Sequence, residues 1–103
     1  MKNIDWANIG TAADVKAAAG EILKNLKSKE GCWFLTGRAC LGAILTALVV
    51  GGRGSDDELH KTLSLPAVEI GRMLPNGEIA NFLIQGAYSA DEVLAAISLE
   101  LEA

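Results

Sequence analysis

Apolar residues recur along this chain at three- and four-residue intervals, and no stretch alternates with the period of two expected of a half-buried strand, so the pattern predicts helices throughout. The longest apolar run, Cys32 to Val50 (CWFLTGRACLGAILTALVV), is closed by Gly51-Gly52. Wound at 3.6 residues per turn, it lines up Trp33, Gly37, Cys40, Ile44 and Ala47, with Leu41, Leu45 and Leu48 beside them. Arg38, Gly42 and Thr46 follow one another at four-residue steps on the other side, so the one charge shares a line with the least apolar positions. Small residues at 37, 39, 42, 43 and 47 suit a helix approached closely from several sides. A membrane span needs about 20 predominantly apolar residues. A charge near its centre costs about 2.5 to 3.5 kcal/mol on insertion scales, and Arg38 lies well inside the run, so the prediction is a buried central helix of a soluble domain.

The other elements follow from the same pattern and its punctuation. Ile4, Trp6 and Ile9 form a lead-in available to pack on the body. Thr11 is placed to cap a helix with Asp14 in its first turn, and this helix is expected to run to about Lys27, burying Val15, Ala18, Ala19, Ile22, Leu23 and Leu26. Residues 28–31 make a turn into the central helix, and Gly51-Gly52-Arg53-Gly54 makes a turn out of it. That glycine string follows a helix rather than a strand and lacks a Gly-Lys-Ser/Thr ending, so it reads as a helix end and not a phosphate loop. Ser55 with Glu58, and Ser89 with Glu92, have the spacing of capping boxes. The first starts a short helix burying Leu59 and Leu63. The second starts the last helix, with Val93, Leu94, Ile97 and Leu101 inward. Pro66 opens another short segment, Pro75-Asn76-Gly77 breaks it, and Glu78 to Gln85 form a further short helix with Ile79, Phe82 and Leu83 inward. The expected architecture is a compact all-α multi-helix domain, residues 1–103 as one unit, with a buried central helix and several short ones.

Composition sharpens this in three ways. Half the residues are apolar but only 5% are aromatic, so the core is built from Ala, Leu, Ile and Val, as suits helices. The net charge of -4 gives no general attraction to phosphate. Cys32 and Cys40 are eight residues apart on one helix, about 12 Å along its axis, too far to bridge, and with one histidine they make no metal-ligand set.

Candidate chemistry is sparse. His60 has no evident nucleophile or orienting group, and the acidic runs at 56–58 and 91–92 fall in first helical turns, where negative charge is stabilising by itself. The basic residues carry two readings. Lys24, Lys27 and Lys29 cluster at the end of the first long helix, either as a solvated face that complements the helix dipole or as a contact for phosphate or an acidic partner, which Arg53 and Arg72 would join. Arg38 must reach water or find a carboxylate.

The order of segments resembles a known family. An aromatic-led helix with Arg38-Ala39 before Leu41, Ala43, Ile44 and Leu45, then SDDELHKTL, AVEIGRML, GEIANFLI and a closing SADEVLAAISLEL, is similar to the all-α domain of type IV coupling proteins. These are the conjugation and type IV secretion ATPases of the TraD and TrwB kind. The lead-in with Asp5-Trp6 and the Ala-rich helix to Leu26 look like the start of that domain. The likeness spans nearly the whole chain and consists largely of core spacing. It implies a helical piece of a larger RecA-like motor ATPase, hexameric and anchored to the membrane outside this segment, working at the cytoplasmic face. In that setting it recognises a relaxase or relaxosome, another secreted protein substrate, or, weakly, single-stranded DNA. No Walker motif lies in these residues, so no catalytic residue and no cofactor is carried over. The contact residues expected are Lys24, Lys27, Lys29 and Arg53. A reading from a different class is a stand-alone helical module whose exposed apolar surface makes a homodimer or partner interface.

Overall fold

The computed structural model describes residues 4–24 and 31–102, with side chains described for all of these except 31–35, 87 and 88. Among them the chain is helical without strands: a 3-10 turn at Trp6–Asn8, then α1 (Ala12–Ile22), α2 (Gly31–Val50), α3 (Asp56–Leu63), α4 (Ala67–Met73), α5 (Glu78–Gln85) and α6 (Ala87–Glu102). The fold is all-α, with a Cα radius of gyration of 12.3 Å.

Helix α2 is the axis of the molecule. It packs against α1, α3, α5 and α6, while α4 pairs most closely with α5. Cys40, Leu41, Ile44, Leu45 and Leu48 are all at most 1% exposed, as the helical stripe requires. They meet Leu59 of α3, Ile70 of α4, Leu83 of α5 and Val93, Ile97 and Leu101 of α6 in one apolar cluster. Helix α1 runs antiparallel to α2: Gly20 abuts Arg38 near one end, and Val15 faces Gly42 further along. No helix of the described residues is long and apolar enough to cross a membrane.

Local chemistry sets the boundaries. Thr11 and Asp14 form a complete capping box, the hydroxyl accepting the Asp14 N–H at 3.2 Å and the carboxylate accepting the Thr11 N–H at 3.1 Å. Gly52 takes the left-handed conformation (φ 71°) that turns the chain out of α2, and the Arg53 N–H returns to the Leu48 carbonyl at 2.7 Å. Pro66 sits at the N-cap of α4, where no amide hydrogen is needed. The lead-in is fastened by the Trp6 indole, which donates to Asp56 at 2.9 Å, and by Ile9, which enters the core.

Four expectations need correction. Helix α1 ends at Ile22 rather than near Lys27, because Leu23 leaves helical geometry while remaining fully buried. Leu26 lies outside the described residues. The last helix does not begin at a Ser89 cap. It begins at Ala87, directly after Gly86, whose carbonyl accepts the Ala90 N–H, so Ser89 stands inside the first turn. Ser55 does accept the Glu58 N–H, but Glu58 turns its carboxylate to Arg53 instead of closing the box. In α3, Thr62 rather than Leu63 is the wholly buried partner of Leu59. Its hydroxyl donates to the Glu58 carbonyl at 2.8 Å, which lets a polar side chain enter the core.

Candidate functional site

The side of α2 that carries Arg38, Gly42 and Thr46 is not closed over by another helix. It forms the floor of an open groove of about 770 Å³. One wall is α1, through Ala12, Val15 and Lys16, and the opposite side is made by Met73 and Pro75 after the end of α4. The floor is shallow because α2 places only Ala39, Gly42, Ala43, Thr46 and Ala47 there. Thr46 adds little polarity, since its hydroxyl donates to the Gly42 carbonyl at 2.8 Å within the same helix. A volume of this size lies within the ~300 to 1,000 Å³ of typical small-ligand sites, and a helical floor of small side chains also admits a docked helix.

Charge in the groove has one sign. The two charged lining residues, Lys16 and Arg38, are both cationic, and the antiparallel packing of α1 on α2 sets them toward the same end. Arg38 is half-buried with its stem beside Gly20, which satisfies the requirement that its charge find water or a partner from inside an apolar run. Val50, 81% exposed, marks the far end of the groove as apolar.

The basic residues singled out in the sequence are placed differently. Lys24 is exposed and pairs with Glu21 at 2.8 Å, while Lys27 and Lys29 lie outside the described residues. Arg53 is held by Glu58 at 2.9 Å, in the turn after the opposite end of α2 from Lys24. Arg72 pairs with Glu69 at 3.1 Å. Arg53 and Lys24 therefore do not share one surface patch. His60 lies 3.6 Å from Glu102, joining α3 to the end of α6.

Reactive side chains are held in unreactive settings. Cys40 is a free thiol at 0% exposure, and burial pushes its pKa up to about 11. Glu58 is held below the usual carboxylate range by its hydrogen bond from Arg53. Among the described residues no group of three His, Cys, Asp or Glu side chains is close enough to hold a metal ion.

The groove itself was half visible in the sequence. The line Arg38, Gly42, Thr46 marks its floor, but which neighbour would cover that line depends on how α1 and α4 pack, and α2's own periodicity carries no information on that. Fold and site together define a small all-α domain with an open, cation-ended apolar groove on its central helix. Comparison with protein-family models, curated proteins and solved structures finds no match.

Proposed function

We propose that this chain is a recognition module: the all-α domain of a type IV coupling protein, contacting the relaxase or another protein substrate of a transfer system. The observation that supports a recognition role is the groove on α2, an open apolar surface at the centre of a well-packed domain. Packed domains rarely leave such a surface uncovered without a use for it. The resemblance in segment order supplies the family, and the all-helical architecture agrees with it. Contact with DNA is secondary in this reading, because the net charge is -4 and both Lys24 and Arg53 are engaged by carboxylates.

Two measurements test the proposal. Sequencing the surrounding gene is expected to show a P-loop motor segment in the same reading frame, and a frame encoding only these residues overturns it. Titrating the isotopically labelled chain with the relaxase of the same transfer system is expected to shift amides along the groove floor. By fluorescence anisotropy, single-stranded DNA is expected to bind weakly and to be released by salt. Tight binding to DNA that salt leaves unchanged contradicts the assignment.

A further inference from the structure

The groove has a complement on the same molecule. The outward side of α6 exposes Asp91, Glu92, Ala95, Leu99 and Glu102, while Val93, Leu94, Ile97 and Leu101 hold its other side in the core. Leu99 is 71% exposed, the second most exposed large apolar side chain after Val50. This surface is therefore an acidic helix face with one apolar knob, and the groove is an apolar trough with two cations toward one end.

Their spacings agree. Asp91 to Leu99 is eight residues, about 12 Å along a helix, and Ala39 to Ala47 is the same. An α6 face laid along the floor with Asp91 and Glu92 toward Lys16 and Arg38 brings Leu99 to the apolar end, at Ala47 and Val50. Floor residues no larger than threonine allow the close axial approach that such helix packing needs.

We infer that the groove on α2 receives the outward face of α6 from a second copy of this chain. The contact is heterologous, because groove and α6 face are different surfaces. Each copy can give one and receive one, so association extends head to tail into a closed ring or an open chain and does not stop at a two-fold dimer. The recognition role above does not depend on this contact, and each is tested without the other.

Sedimentation velocity on the full chain, over a wide concentration range at low and high salt, tests it. The wild type is expected to grow past the dimer with concentration and to retreat toward monomer when salt screens the charges. Ala39→Trp, at an exposed floor position, blocks only the groove, and Leu99→Lys blocks only the face. Each variant alone is expected to remain monomeric. An equimolar mixture is expected to give a one-to-one dimer that goes no further, since one intact groove meets one intact face. Circular dichroism verifies that both variants fold. As a measure that needs no variant, wild-type amide shifts are expected to depend on concentration both along the groove floor and along 91–102. A wild type that stays monomeric throughout, association that saturates at dimer, or growth unaffected by Leu99→Lys overturns the inference.

Discussion

At the scale of single residues, the tightest constraint is Gly71 in α4. A Cβ there would stand 2.7 Å from Ile84 Cγ1, 3.0 Å from the Ala80 carbonyl oxygen and 3.1 Å from Leu83 Cβ, so α4 and α5 touch through the missing side chain. Gly71→Ala is expected to lower stability by about 1 to 3 kcal/mol in urea denaturation, the usual cost of overpacking, despite alanine's better helix propensity. Gly42 is the contrasting case. Its Cβ would meet Val15 Cγ1 at an ordinary 3.6 Å, so Gly42→Ala is expected to stabilise by about 0.5 to 1 kcal/mol in the same assay. Neither outcome was legible in the sequence, where both positions read only as small residues on a helix. Cys40 behaves as its burial dictates. With its pKa raised to about 11 it carries almost no thiolate at pH 8, so in a Cys32→Ser background thiol labelling is expected only after denaturant unfolds the protein.

Among the elements, existence and type followed from periodicity, while ends followed from chemistry that was only partly readable. Thr11 and Asp14 were recognisable as a start because the cap and its partner are three residues apart in the sequence. The same logic failed at Ser89, where Gly86 ends α5 and flanks α6 at once, leaving no gap for a serine cap. It half succeeded at Ser55, because Arg53 in the preceding turn competes for Glu58. These carboxylates carry a pH signature. The Gly10 N–H, with help from Thr11, holds the Asp14 carboxyl below its ordinary value, as Arg53 does for Glu58. A carboxyl whose folded pKa is depressed contributes stability above its unfolded pKa, about 4, and loses that contribution as pH falls through the folded value. The urea midpoint is therefore expected to decline below about pH 4, and Asp14→Asn is expected to make that decline shallower. Thr11→Ala is expected to cost about 1 kcal/mol at neutral pH by removing the cap.

For the whole molecule, the question is what fastens the ends of a chain whose axis is one central helix. The lead-in is tied by the Trp6 to Asp56 hydrogen bond and by the burial of Ile9, so residues distant in sequence close one end of α2. Hydrophobicity alone marked Ile4, Trp6 and Ile9 as able to pack. That they pack beside α3 follows from the turn at Gly52, which no local pattern reveals. Burying one Ile-sized side chain is worth about 1.5 to 3 kcal/mol and a typical intramolecular hydrogen bond about 1 kcal/mol. Removing residues 1–9 should therefore cost about 3 kcal/mol, out of the ~5 to 15 kcal/mol that stabilises a domain of this size. Since 1 kcal/mol corresponds to about 4 to 8 °C for a domain near 100 residues, the truncated chain is expected to melt at least 10 °C lower by calorimetry. Trp6→Phe, which keeps the ring but loses its donor, is expected to give only about a third of that shift. If the truncation left Tm unchanged, the lead-in would be an ornament on a core complete without it, and the exposed edge of α3 would have to be stable with Leu59 newly uncovered.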